Sequence, residues 1–277
     1  MRKNSFLIIG ILVLSALSFF FCCRDVSLPE EPEEKIKDYS KILKKNPEDV
    51  ISLNNRAGAY YENGQYLEAI EDYSKAIQLN PDLTDFYINR GLAYVRTGQF
   101  DRAVLDYTIA IRMNPDNYIA YYNLGDVYYM TGLYEEAVEE YTKAIDLNPT
   151  HTSAYSNRGL AFKGLGKMEE AIADYSRALE LNPLLPINYN NRGNAYVSTG
   201  NLNAALSDFN KALQIDSKYA LAYSGRGFTY EKMGKLKEAI EDFRNFLRFT
   251  PDKDSPFVYQ AQAKIAELQL KLDPDNL

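Results

Sequence analysis

The 277-residue chain has 38 acidic residues against 31 lysines and arginines, which gives a net charge of −7 at pH 7. An acidic chain has no basic field to attract phosphate backbones, so this balance argues against nucleic-acid binding. Both cysteines, Cys22 and Cys23, lie in one apolar segment, and no thiol remains elsewhere for a disulfide framework, a zinc site or a cysteine nucleophile.

Residues 1–23 have the layout of an export signal. Arg2 and Lys3 precede a run without charges from Phe6 to Phe21, and such an order keeps the basic start inside while the apolar part enters the membrane. Residues 24–32 carry three acidic residues against one arginine and contain two prolines, which predicts an extended tether. We therefore expect everything after the signal to lie on the exported side, periplasmic or outer, of a bacterial cell envelope.

The cysteine doublet resembles the end of a bacterial lipoprotein signal, where a cysteine is lipidated and becomes the new N-terminus. That motif prefers a small residue before the cysteine. Cys23 fits better than Cys22, because Phe21 precedes Cys22. An uncleaved anchor or an ordinary cleaved signal stays open as an alternative. The apolar run of about 16 to 18 residues is barely long enough for an anchor that spans a bilayer.

The remaining chain aligns in rows of 34 residues without a gap. Small residues form one column and aromatic residues another, while a glycine stands mid-row and a proline ends five of the six rows. Apolar spacing of three and four residues predicts two amphipathic helices per row, separated at the glycine and stopped by the proline. One row cannot bury its own apolar face, so consecutive rows must stack. The six rows are 50–83, 84–117, 118–151, 152–185, 186–219 and 220–253.

The row pattern "YxNxGxAYxxxGxxxEAIxxYxKAIxLNP" is similar to the tetratricopeptide repeat, whose period is the same. The resemblance covers residues 50–253. It implies an all-α fold, namely a right-handed superhelical solenoid of antiparallel helix pairs, with the first helices lining a concave groove. That groove would bind extended segments or domains of partner proteins.

Both ends of the array carry incomplete rows. Residues 33–49 align with the second half of a row and predict an N-terminal half-repeat helix. Residues 254–277 predict a C-terminal capping helix and tail, with Ser255 as N-cap and Pro256 in the first turn. We expect Phe257, Ala261, Ile265, Leu268 and Leu272 to cover the last row and Lys264, Glu267 and Lys271 to face water. The bulky Phe246, in a column of alanines, indicates that a cap packs next to it.

A charged column lies on the buried face of the first helices. Each row that has an arginine there has an aspartate on its second helix, and the one row with leucine, Leu124, has Glu140. We interpret the columns as structural ion pairs between helices, with the planar guanidinium reaching two partners. The sequence leaves open whether the partner lies in the same row or the preceding one, where Asp38 would serve the first arginine. The paired residues are Arg56, Arg90, Arg158, Arg192, Arg226, Asp72, Asp106, Asp174, Asp208 and Asp242.

In five rows the residue just before the arginine-column position on the first helix is an asparagine. It lies about 100° around the helix from the buried face. In the resembling family an asparagine here commonly holds a peptide main chain, and an amide suits that task because it both donates and accepts. Hydration of an exposed face or bonding to an adjacent row is the structural alternative. The predicted partner-binding groove comprises Asn55, Asn89, Asn123, Asn157, Asn191, Tyr122, Asp126, Tyr129, Asn190 and Asn194.

Nothing in the chain combines a nucleophile with a base, and no segment remains for a catalytic domain. The one histidine, His151, falls at a row boundary and is expected to be a solvated loop residue. We therefore expect no catalytic residue, no metal and no cofactor. The favoured function is a membrane-tethered adaptor for other proteins. A self-assembling structural protein, and hence a homo-oligomer, and an accessory protein that binds a small hydrophobic ligand are the alternatives.

Overall fold

The computed structural model describes residues 31–252 and 254–273, and within these ranges every regular element is an α-helix. The signal segment, the lipidation candidates Cys22 and Cys23, and the tether up to residue 30 lie outside the described residues. The helices are α1 Pro32–Lys45, α2 Val50–Glu62, α3 Tyr66–Leu79, α4 Thr84–Arg96, α5 Phe100–Met113, α6 Tyr118–Thr131, α7 Tyr134–Leu147, α8 Thr152–Gly164, α9 Met168–Leu181, α10 Pro186–Ser198, α11 Leu202–Ile215, α12 Ala220–Lys232, α13 Leu236–Phe249 and α14 Pro256–Leu272.

The chain divides after Gly132 into two compact units. The first holds α1 to α6 and the second holds α7 to α14. Within each unit, every helix packs against the helices before and after it in the chain. The fold is thus an all-α array of helix pairs, as the 34-residue period predicts. Among the described residues no helix is both long and apolar enough to cross a membrane.

Within each unit the first helices of consecutive rows also touch one another. Helix α4 approaches α2 and α6 in the first unit, and α10 approaches α8 and α12 in the second, whereas consecutive second helices of the same unit show no comparable approach among the described residues. First helices are therefore closer together than second helices within each unit. We call the surface formed by the second, fifth, sixth and ninth residues of the first helices the inner face.

Two local devices end the helices. Between the helices of a row stands a glycine with positive φ, such as Gly64 at 77° and Gly98 at 74°, a conformation that other residues adopt only with strain. After the second helix of rows one to four, an asparagine side chain accepts a hydrogen bond from the backbone N–H two residues later, as Asn114 does from Asp116 at 3.2 Å, and Asp216 does the same in row five. This Asx turn directs the chain into the next row.

The column of small residues lets each first helix rest on an aromatic ring. A Cβ atom added at Gly91 would lie 2.5 Å from the Tyr107 ring, and one added at Gly193 would lie 2.9 Å from the Phe209 ring. Both rings are fully buried. Glycine is needed here for close approach, so the column reflects packing between the two helices of a row.

The capping helix α14 packs differently from the expectation. Its buried residues are Val258, Ala261 and Leu268, which share one cluster with Phe246 on α13. The prediction that Phe257 and Leu272 cover the last row is wrong, because these side chains are 59% and 42% exposed. The buried residues follow one another at spacings of three and seven, from Val258 to Ala261 and from Ala261 to Leu268, and this helix phase turns Phe257 and Leu272 toward solvent.

The charged side of α14 is likewise not simply solvated. Lys264 Nζ donates to Glu231 of α12 at 2.8 Å and to Glu267 at 3.0 Å, while Lys271 bonds to the other oxygen of Glu267. Lys264 therefore links α14 to α12 of the last row by an ion pair. The sequence pattern of α14 alone did not predict this contact.

Candidate functional site: the arginine ladder and the inner face

Every arginine of the column binds the aspartate of its own row. In each pair Nε and Nη2 donate to the two carboxylate oxygens at 2.6 to 2.8 Å, a bidentate geometry. The aspartates are buried, and the arginine side chains are between 17% and 21% exposed. The pairs are Arg56–Asp72, Arg90–Asp106, Arg158–Asp174, Arg192–Asp208 and Arg226–Asp242.

The remaining terminal nitrogen, Nη1, reaches the preceding row. It donates to a side-chain oxygen sixteen residues earlier in the chain, at 2.5 to 3.1 Å. This acceptor is a hydroxyl in four rows and an amide in one, so the link between rows is not an acid. Asp38 instead accepts from Lys41 at 2.7 Å. The acceptors are Ser40, Ser74, Thr142, Ser176 and Asn210.

We call this repeated set of contacts the arginine ladder. Hydroxyls such as that of Ser176 complete it by donating to the carbonyl oxygen four residues earlier, here Ile172 at 2.7 Å. Aromatic rings cover the guanidinium faces, as Tyr189 and Tyr196 do for Arg192 at 5.8 and 5.9 Å. The hydrogen bonds to Asp208 raise the pKa of Arg192, so this guanidinium stays charged.

The third row has no arginine–aspartate pair, although its Thr142 accepts the ladder contact from Arg158. Leu124 is 5% exposed in the first unit. In the second unit, Glu140 accepts from Lys143 at 2.8 Å through one oxygen, while its other oxygen is buried and has no hydrogen bond within the described chain. The single departure in the sequence columns thus corresponds to a local loss of ion pairing.

The asparagine column lies on the inner face in each unit. Asn55, Asn89, Asn157 and Asn191 are half-buried, whereas Asn123 is only 8% exposed. The side chain of Asn55 accepts a hydrogen bond from Asn54 at 3.3 Å.

The other predicted groove residues divide between the two units. Tyr122, Asp126 and Tyr129 are half-buried in the first unit. In the second unit Asn194 is half-buried, but Asn190 is 5% exposed and its oxygen is buried. The amide of Asn190 is thus largely covered by the protein, which leaves Asn191 and Asn194 as the more accessible amides of α10.

The inner face of rows four to six, all in the second unit, carries no charged side chain. One quarter of the whole chain is charged, so this gap is distinctive. The corresponding positions of the first unit include Asp85 and Asp126. The uncharged inner-face residues are Ser153, Ser156, Asn157, Leu160, Ile187, Asn190, Asn191, Asn194, Leu221, Ser224, Gly225 and Phe228.

The asparagine column ends in row six, where Gly225 replaces it. A Cβ atom there would lie 2.5 Å from the Phe209 ring and 3.3 Å from Asn194 Oδ1. Helix α12 therefore approaches α10 and α11 closely. Leu221, 52% exposed, and the half-buried Phe228 then place apolar surface beside the amides of α10.

His151 is not the solvated loop residue that the sequence suggested. It is the N-cap of α8, where its Nδ1 accepts a hydrogen bond from the Ala154 N–H at 3.2 Å. Burial lowers the pKa of the imidazole, which favours the neutral ring that an N-cap acceptor requires. In the described ranges no three potential ligand side chains are grouped as a metal site would need.

Helix pairs in a 34-residue period, joined by the ladder and offering an amide-rich face, define a repeat scaffold for binding other proteins. Models of the tetratricopeptide repeat match residues 39–71, 88–152, 152–183 and 220–253, and a further TPR repeat model matches 57–98 and 193–234. The chain belongs to the tetratricopeptide repeat family. No curated protein sequence matches it, and none of the matching family models describes an enzyme.

Solved structures agree with the family. The chain is 25% identical to YrrB, described as a TPR protein with an unusual peptide-binding site, over 70% of this chain and 99% of YrrB, with a TM-score of 0.58. It is 32% identical to MamA over 55% of this chain and 89% of MamA, with a TM-score of 0.53. PilF of Pseudomonas aeruginosa shares the fold, with 17% identity, 84% and 99% coverage, and a TM-score of 0.65.

Proposed function

We propose that this protein is a membrane-tethered adaptor of the bacterial cell envelope that binds extended segments of partner proteins on its inner face. The observation that carries the proposal is the uncharged, amide-bearing inner face of rows four to six. The side chains of Asn191 and Asn194 make no hydrogen bond within the described chain, so their donors and acceptors are available to a main chain. The peptide-binding site named for YrrB supports the same use of the fold.

The chemistry of this face favours a segment with few charges. A charged side chain brought against Leu221, Ile187 and Phe228 would lose water without gaining a partner. Amides instead satisfy the N–H and C=O groups of an extended backbone, while the aliphatic and aromatic side chains bury small apolar residues. Because main-chain hydrogen bonds would then provide most of the interaction, the inner face could bind partner segments that differ in their side chains.

The test is recovery of partners from an envelope extract, followed by measurement of the affinity for the recovered segment. We expect the double variant Asn191→Ala/Asn194→Ala to weaken binding at least tenfold, because two amide contacts of about 1 kcal/mol each are lost. The matched control, Asn203→Ala/Gln262→Ala, removes two exposed amides away from the inner face and should bind as the wild type does. Equal recovery by all three folded proteins would reject the inner face as the site.

The envelope location rests on the sequence of residues 1–32 alone. This sequence supports a membrane tether because a basic start, an uncharged run and a cysteine doublet occur in that order. Fractionation of cells that express the full chain tests it. Recovery in the soluble cytoplasmic fraction would reject the tether while leaving the binding role of the repeats intact.

Self-association is the second candidate, and the outer surface of α14 favours it. Phe257, Tyr259 and Leu270 are 59%, 59% and 49% exposed on this terminal helix. Light scattering of the purified protein separates the two functions. A stable oligomer whose formation prevents partner capture would count against the adaptor.

A further inference from the structure

The first row differs from the others at the fourth residue of its first helix. Leu53 stands where rows two to six have a tyrosine. In the ladder rows this tyrosine covers one face of the guanidinium, as Tyr87 does for Arg90 at 5.9 Å. In the described chain Arg56 stacks on a single ring, that of Tyr60, at 5.7 Å. One face of the Arg56 guanidinium is thus without an aromatic cover.

An open cleft of about 380 Å³ lies beside this position, between α1, α2 and α3. Leu53, which is 1% exposed, and the largely buried Leu43 give it an apolar base. The exposed lysines Lys44 and Lys75 stand at its edge, together with Arg56. The volume falls within the range of sites for small ligands.

The charges around the cleft are predominantly positive. Asp72 neutralises Arg56, and the exposed Glu71 also acts on that guanidinium. The ammonium groups of Lys44 and Lys75 have no hydrogen bond or ion pair among the described residues. Cations therefore outnumber carboxylates at the edge of an apolar cleft.

The cleft above Arg192 is a useful comparison. Tyr189 lines it, and so does Asp208. Its one lysine, Lys211, donates to Gln214 at 3.0 Å. The combination of a missing ring and two lysines without partners among the described residues therefore distinguishes the first-row cleft from the one above Arg192.

We propose that the first-row cleft binds a phosphate group carried on a short apolar chain. The lysines contact the phosphate oxygens, and the first methylene groups lie against Leu43 and Leu53 in the space that a tyrosine ring takes in other rows. A free alkyl phosphate and a phospholipid head share this chemistry. The site lies outside the inner face and is independent of the partner-binding role.

The test is isothermal titration of the full chain in dodecyl maltoside micelles, which carry no phosphate, with butyl phosphate, which is soluble and forms no micelles of its own. We expect saturable binding of one molecule per chain. Inorganic phosphate, which lacks the chain, should bind at least tenfold more weakly, and butanol, which lacks the charge, should show no saturable binding. Nanodiscs that contain phosphatidylglycerol distinguish the sources: loss of butyl phosphate binding indicates a lipid head, and retention indicates a free ligand.

Two variants test the cleft and its charges separately. Leu53→Tyr fills the cleft and leaves every charge in place, whereas Lys44→Gln/Lys75→Gln keeps the cleft and removes the charges. Each should weaken butyl phosphate binding at least tenfold. The control Lys218→Gln/Lys237→Gln makes the same change of net charge at exposed positions outside the cleft and should bind normally.

Absence of saturable binding to the wild type would overturn the proposal. So would an equal loss in the control, because the attraction would then depend on net charge alone. Circular dichroism checks the fold of each variant. If Leu53→Tyr does not fold, the comparison of Lys44→Gln/Lys75→Gln with its control Lys218→Gln/Lys237→Gln still tests the proposal.

Discussion

Removal of one arginine from the ladder should cost far more than loss of a surface ion pair. The substitution Arg192→Met leaves Asp208 with a side chain that is 7% exposed and no longer has its bidentate donor. It also removes the hydrogen bond to Ser176 in the preceding row. Stranding one partner of a buried pair typically costs 3 to 5 kcal/mol, and because Arg192 is 19% exposed we expect about 3 kcal/mol.

The double variant Arg192→Met/Asp208→Asn distinguishes the pair from its surroundings. Replacing both charges removes the stranded carboxylate, so the double variant should be more stable than the sum of the single changes by about 2 kcal/mol. Equilibrium urea denaturation followed by circular dichroism measures these differences. The control Arg177→Met breaks an exposed pair with Glu180 and should cost less than about 1 kcal/mol.

Additive effects of the two substitutions would refute the reasoning, because residues that interact must show a coupling energy. A cost for Arg192→Met no larger than that for Arg177→Met would also refute it. Since repeat arrays unfold in segments, the comparison should follow the transition of the second unit, where both pairs lie.

Three further predictions concern a cap, a packing contact and the signal. Burial lowers the pKa of His151, so below about pH 6.5 the unfolded chain takes up a proton that the folded chain resists. Stability should therefore fall more steeply in wild type than in His151→Asn as the pH drops from 7 toward 5, and parallel curves would disprove the cap. Gly193→Ala should destabilise by about 1 to 3 kcal/mol in thermal unfolding, since its Cβ would lie 2.9 Å from the Phe209 ring, and a neutral result would show that the ring moves freely. Metabolic labelling with a palmitate analogue should fail for Cys23→Ser and persist for Cys22→Ser; the reverse pattern would assign the lipid to Cys22.

The repeat period determined most of what could be foreseen. Six copies of each position average out local ambiguity, so the helices, their turns and the column of small residues followed from the spacing. Helix α14 occurs once, and no repetition fixed its phase, which is why Phe257 was expected inside and lies outside. Its contact from Lys264 to Glu231 joins residues 33 apart, beyond the reach of a single helical pattern.

The second partner of each arginine was missed because it belongs to a neighbouring helix. The signal was nevertheless present as a column of serine, threonine or asparagine sixteen residues before each arginine. The asparagine column shows a similar correspondence: a tyrosine precedes each asparagine by sixteen residues, whereas Phe209 precedes Gly225. Exposure of each asparagine depends on how closely adjacent first helices approach, which the sequence of one row does not specify.

The ladder has a consequence for how such a chain could grow or shrink. Each arginine has one partner in its own row and the other in the preceding row, sixteen residues earlier, and Ser176 and Thr142 serve equally well as that acceptor. Deleting residues 152–185 would place Thr142 where Ser176 stands beside Arg192, and its hydroxyl could accept the hydrogen bond from Arg192 Nη1. Unequal recombination in steps of 34 codons within rows one to five would therefore leave every guanidinium with its partners, whereas a row placed after row six would meet Arg244 in the acceptor position.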